Sequence, residues 1–192
     1  MLVVKRTGLN QKGCPRAAFF CFQATLWAFM LGGCLGVWAQ VPQALPNPQI
    51  TPGAVDPTIT SQNLQSTVCV RGYTATVRPD KRVTNRLKRE QIRQYRYSDT
   101  DPRNYEQDHL IPLSIGGNPS DPRNMWPQPR EGAWGADEKN DLEFVAYRLV
   151  CSGQLNLQEA QRRIAANWIE AYQAWVPSHQ YLLPKGRRER AD

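Results

Sequence analysis

Two histidines occur in the 192-residue chain, and His109 alone stands among other groups able to do chemistry. Asp108 precedes it in Gln107-Asp108-His109-Leu110-Ile111-Pro112-Leu113, and Gly116-Gly117 follows. Asn124 comes next in Asn124-Met125-Trp126-Pro127-Gln128, and Lys139-Asn140 opens a helical pattern further on. A neutral imidazole takes up a proton near pH 7. Carboxylate and carboxamide oxygens suit a hard divalent cation. Hydrolysis of a phosphodiester asks for such groups: an activated water, neutralised phosphate charge and protonation of the departing oxygen. An isolated Asp-His pair is more simply an ordinary charged pair on a strand, with Asn124 a turn residue. The whole string is what points to a site. His179 follows Pro177 and reads as a surface residue.

The matching text is DHLIPLSIGGNPSDPRNMWPQP, then EKNDLE, then VCSGQLNLQEAQRRIAANW. It resembles the HNH, or ββα-metal, nuclease superfamily, and more narrowly a group of exported bacterial HNH proteins. With TVCVRGYTATVRP upstream, the resemblance covers Thr67 to Trp168. It implies an α+β fold in one domain, a small ββα-metal core with additional helices, acting as a metal-dependent endonuclease. On that resemblance His109 is the general base, Asp108 and Asn140 hold the metal, and Asn124 braces the loop between two strands and orients His109. Neighbouring side chains on a strand face opposite ways, unless a bend separates them. Asp108 can then hold a cation while His109 faces the water. So sparse an oxygen set leaves positions for water and phosphate, which favours Mg²⁺ or Mn²⁺ over zinc. The helix position carries Asn where the HNH name expects His, and relatives in the narrower group carry Asp there. Glu143, on the same helix face, is a rival ligand. In-line attack of the family's kind leaves a 5′-phosphate and a 3′-hydroxyl.

These residues need elements to carry them. Tyr73-Thr74-Ala75-Thr76-Val77 is rich in strand formers. Thr84 to Tyr95 reads as a helix with Leu87, Ile92 and Tyr95 as its apolar members. Tyr105 to Ile115 reads as a strand and a turn, closed by Gly116-Gly117-Asn118-Pro119. Asp137 to Cys151 is a helix with Gly153 at its end. Leu142, Val145, Ala146 and Leu149 form one stripe on it, and Asn140, Glu143 and Tyr147 form the opposite one. Asn156 opens the last helix with Glu159 three residues on. Its core face is Leu157, Ala160, Ile164, Ala165, Trp168, Ile169, Tyr172 and Val176. Strands followed by helices, without a βαβ rhythm, predict an α+β domain. Residues 129–137 form an insertion between strand and helix.

The chain carries 24 Lys+Arg against 17 Asp+Glu, formally +7. Lys5, Arg6, Lys12 and Arg16 lie in residues 1–39 beside no acid, so 20 basic and 17 acidic side chains, or +3, remain beyond. The charge is concentrated again from Arg78 to Arg103, where nine cations meet four acids, +5 locally, with Tyr95 and Tyr97 interleaved. Lys81, Lys88, Arg89 and Arg93 are the expected nucleic-acid contacts, giving salt-sensitive binding without sequence readout. By themselves these cations are more simply a solvated helix face. DNA is the expected substrate, with RNA left open. A nucleic-acid-binding module with the same fold and no turnover is the alternative, and a secreted protein meeting acidic envelope polymers a third. A hydrophobic fraction of 41% supports a core and excludes wholesale disorder. No heptads, periodic glycines or 20–50-residue repeats occur, which excludes coiled coil, collagen and solenoid.

A basic start followed by uncharged Ala17 to Trp38 and the exit Val37-Trp38-Ala39 reads as a signal peptide over residues 1–39. A retained membrane anchor and lipidation at Cys34 are the alternatives. The mature form is expected to be exported, not membrane-spanning and monomeric. Cys69 and Cys151 remain beyond that segment, and an even number in an oxidising compartment predicts their disulfide. Residues 40–65 are a Pro-rich linker or surface-hugging arm, 66–176 the nuclease-like domain, and 177–192 a basic tail.

Overall fold

The computed structural model describes residues 44–188. The expected signal segment and Cys34 lie outside the described residues, as does the extreme end of the basic tail. Mixed α and β structure forms one domain. Its elements run α1 (Tyr73–Val77), α2 (Lys81–Gln94), β1 (Tyr105–His109), β2 (Met125–Pro129), α3 (Ala136–Cys151), α4 (Leu157–Trp175) and α5 (Lys185–Arg188), with short 3₁₀ turns between them. No helix among the described residues is long and apolar enough to cross a membrane.

The strands β1 and β2 pair antiparallel, with Tyr105 opposite Pro129 and His109 opposite Met125. Adjacent residues of β1 look to opposite faces. Gln107 accordingly reaches Gln91 of α2, and Asp108 reaches Lys139 of α3. The hairpin lies between those two helices. On α3 the expected apolar stripe of Leu142, Val145, Ala146 and Leu149 is buried. It packs against α4, whose Leu157, Ala160, Ile164 and Trp168 are buried likewise. Asn156 caps α4 by accepting from the Glu159 amide at 3.0 Å. Asn167 leaves helical geometry inside α4, and its Oδ1 accepts from the Ile169 and Glu170 amides, which restarts the helix.

The strand expected over Tyr73–Val77 is instead a short helix. Strand propensity reflects packing in a sheet, and the one sheet among the described residues is the β1–β2 pair. With no buried residue of its own, the segment lacks a partner that would reward extension. Gly72 opens it in the left-handed region at φ 88°, and the Arg78-Pro79 step ends it. The next helix starts at Lys81, three residues before the expected Thr84. Asp80 there accepts from the Arg82 amide at 2.7 Å.

The domain is wider than the expected 66–176. Ile59, Leu64 and Leu183 are buried in the same core. The described part of the Pro-rich segment lies along the hairpin as an arm. Gly53 N donates to Arg123 O, Asp56 N to Gly116 O, and the buried Thr51 Oγ1 to Met125 O. Tyr95 in turn donates its hydroxyl to Thr51 Oγ1 at 2.7 Å. Cys69 and Cys151 form the expected disulfide, with Cα atoms 5.7 Å apart. It ties the chain just before α1 to the last residue of α3.

Candidate active site

Asn124 is fully buried at the entry to β2, and it holds the loop that leaves β1. Its Oδ1 accepts from the Ile111 amide at 2.9 Å and from the Ala54 amide at 3.3 Å. Its Nδ2 donates to Ile111 O at 3.0 Å and Asn118 O at 3.1 Å. Two donors and two acceptor contacts use the whole carboxamide. Gly117 completes the loop by close approach: a Cβ there would sit 1.8 Å from Ile111 O and 2.9 Å from Asn124 Nδ2. Asn118 Oδ1 then accepts from the Ser120 and Asp121 amides at 3.0 Å, so the carbonyl of Pro119 between them is held in place.

That carbonyl lies 3.0 Å from Nε2 of His109. A carbonyl only accepts, so Nε2 carries the proton, and the neutral ring keeps its lone pair on Nδ1. Burial pushes the His109 pKa down, and the charges of Arg78 and Lys139 push the same way. The Pro119 contact and the Asp108 carboxylate oppose this without reversing it. His109 is therefore a neutral imidazole with one free nitrogen, the form a proton acceptor needs.

Beside it sits an ion triad built on a buried lysine. The Lys139 side chain is 1% exposed. Its Nζ donates to Glu143 Oε1 at 2.7 Å, His109 O at 3.0 Å and Asp108 Oδ2 at 3.2 Å. Burial works against the ammonium, but Asp108 and Glu143 outweigh it and hold the Lys139 pKa above its ordinary value. Glu143 moves upward too, through burial first and the Asp108 charge second, against the pull of Lys139 and Arg78. Two carboxyl groups share the one ammonium.

Asn140, Glu143 and Tyr147 line one wall of a cavity of about 200 Å³, as their spacing on α3 predicts. Asp108 and His109 line it from the hairpin, and Ser114 from the loop. Thr74 and Arg78 close it from α1. Asp108, His109 and Asn140 are thus brought together, with Asn124 behind them rather than on the wall. Among the described residues no three His, Cys, Asp or Glu side chains cluster tightly enough to hold a metal by themselves. Asn140 adds a neutral carboxamide to the same lining.

Three contributors escaped the sequence reading. Lys139 stands beside Asn140, and its place four residues before Glu143 is an ion-pair spacing that signals its partner. Arg78 stood among the basic residues without a distinct role. Ser114 presents a buried Oγ with no hydrogen-bond partner, and nothing in the sequence singles it out. The four expected nucleic-acid contacts lie on α2, and none of them lines the cavity. Lys81, Arg89 and Arg93 are exposed. Lys88 is half-buried, and its ammonium donates to Tyr105 O at 3.0 Å. Burial, then the Arg130 charge, pushes its pKa down.

The insertion before α3 is anchored to the core rather than free. Trp134 sets its ring edge-on to Trp168 and Tyr172, at 6.1 and 5.4 Å between centroids. A scan against protein-family models, a search of curated proteins and a search of solved structures each found no match.

Proposed function

We propose that the chain is an exported, metal-dependent endonuclease of the HNH type that hydrolyses phosphodiester bonds in DNA, with His109 as general base. The observation that carries this reading is that a neutral, Nε2-anchored His109 lines the same cavity as Asp108 and Asn140. The donor chemistry fits a hard cation such as Mg²⁺ or Mn²⁺. Asp108 uses only Oδ2 in its pairing with Lys139, and Asn140 contributes a neutral oxygen. When bound there, the ion would neutralise charge on the phosphate.

The remaining work belongs to the chain's own groups. His109 accepts the proton of the attacking water at Nδ1, while Pro119 and Asn124 keep the ring from turning. Arg78 at the cavity rim meets phosphate charge from the opposite wall. The exposed cations Lys81, Arg89 and Arg93 add affinity for the polyanion away from the site. A disulfide between Cys69 and Cys151 suits an oxidising, exported setting.

The test is direct. Purified mature protein is incubated with supercoiled plasmid, single-stranded DNA and RNA, with Mg²⁺ and with EDTA. Nicking that EDTA abolishes is the expected outcome. Binding without cleavage under every metal condition would replace the enzyme with the binding-module reading.

A further inference from the structure

The site already contains one fixed cation. Three protons of the Lys139 ammonium meet three acceptors, Glu143 Oε1, His109 O and Asp108 Oδ2, so the group is saturated. Each carboxylate gives Lys139 one oxygen, Glu143 Oε1 at 2.7 Å and Asp108 Oδ2 at 3.2 Å, so of the two Glu143 is the more closely held. Asn140, one residue beyond Lys139, faces the same cavity and makes no side-chain hydrogen bond among the described residues.

Resting on the nuclease reading, we infer that Lys139 is a positioning residue that decides which α3 side chain serves the divalent cation. It binds Glu143 and leaves the place to Asn140. The cation then meets one anionic ligand, Asp108, instead of two. Charge count among oxygen ligands sets affinity for hard cations, so this arrangement gives loose binding and easy exchange. The i, i+4 spacing of Lys139 and Glu143 keeps the device within one turn of helix.

The experiment measures Mn²⁺ binding to the mature protein without nucleic acid, by the electron paramagnetic resonance signal of free Mn²⁺. Circular dichroism checks the fold of each variant. Lys139→Met removes the ammonium and releases Glu143, and Mn²⁺ binding should tighten about tenfold or more. Glu143→Gln should bind within about twofold of wild type, and Asn140→Ala about tenfold more weakly. The double variant Lys139→Met/Glu143→Gln should lose the gain of the single one. The inference is overturned if Glu143→Gln weakens binding as Asn140→Ala is expected to, or if folded Lys139→Met binds no tighter than wild type. If Lys139→Met does not fold, the comparison of Glu143→Gln with Asn140→Ala decides. Wild-type protein that binds no Mn²⁺ would overturn both this inference and the metal-dependent nuclease. A wild type that binds Mn²⁺ and cleaves DNA, alongside a weakened Glu143→Gln, would overturn this inference alone.

Discussion

Nε2 of His109 lies 3.0 Å from the carbonyl oxygen of Pro119, ten residues further along the chain. The contact sets the tautomer, because only a protonated nitrogen can face a carbonyl. It also sets the orientation, because the loop carrying Pro119 is itself fastened through Asn118 and Asn124. A base held in this way contributes to the transition state more than to the ground state. His109→Ala should therefore cut turnover on the order of 10²–10⁴-fold. Mn²⁺ affinity should stay close to wild type, and the thermal midpoint should fall only modestly, by what the buried ring and its bond to Pro119 contribute. Single-turnover cleavage of plasmid and a melting curve check the two halves, and an unchanged cleavage rate would remove His109 from the mechanism.

Asn124 makes its four contacts with no exposure to water. Truncation to Ala leaves buried backbone groups unpaired, at about 1–3 kcal/mol for each group that finds no new partner. Asn124→Ala should lower unfolding free energy by at least about 3 kcal/mol on that scale. Gly117→Ala should be as damaging, since its Cβ would overlap Ile111 O. Urea unfolding measures both.

The Cys69–Cys151 bridge spans 82 residues in sequence. In the chain-entropy model, whose mechanism is disputed, a loop of that size is worth about 4–5 kcal/mol. Reduction should shift the urea midpoint downward, and peptide mapping without reductant should recover one linked pair. Two alkylatable thiols in native, exported protein would contradict it.

The surface cations should separate into two kinds. Charge reversal at two of Lys81, Arg89 and Arg93 should weaken DNA binding across all sequences and reduce the salt slope by about one per lost contact. Lys88→Met should leave that slope unchanged and lower stability instead, because Lys88 donates to the Tyr105 carbonyl. Filter binding across a salt series tests the first and thermal melting the second. Equal effects of Lys88 and Arg93 on the slope would show that the Tyr105 contact opens when DNA arrives.

Tyr95 is 8% exposed, and burial raises its pKa from 10.0 to about 12. The folded state therefore holds this proton more tightly than the unfolded state. The stabilisation is complete below pH 10.0 and is lost as pH rises through the folded value near 12. Absorbance at 295 nm should show Tyr95 ionising late, together with unfolding. Tyr95→Phe should remove that part of the alkaline transition. A Tyr95 that titrates at 10 in the folded protein would mean that its ring is not kept buried in solution.

Much of the site is written in spacing. Asn140, Glu143 and Tyr147 repeat at helical period opposite Leu142, Val145, Ala146 and Leu149, and period alone puts one set in the core and the other on a cavity wall. Asn156 announces its helix because a cap acts on the next three residues. Cys69 and Cys151 could be paired by counting, with no knowledge of distance. All of these are properties of local geometry or composition, which a linear chain already contains.

Other features exist only once distant segments meet. Tyr73–Val77 carries strand formers, yet extension is stabilised by a neighbouring strand and none is at hand, so the segment coils and brings Thr74 and Arg78 to the cavity. The Pro-rich segment reads equally as a linker or a surface-hugging arm, and the loop at Gly117, which offers Val55 a backbone partner, decides for the arm. Nothing in the sequence marks Lys139 as buried; the hairpin and helix close over it. Its burial is tolerable because Asp108, from 31 positions away, joins Glu143 in pairing with the ammonium. Desolvation and long-range pairing are decided by the packed structure, and the order of residues along the chain encodes neither.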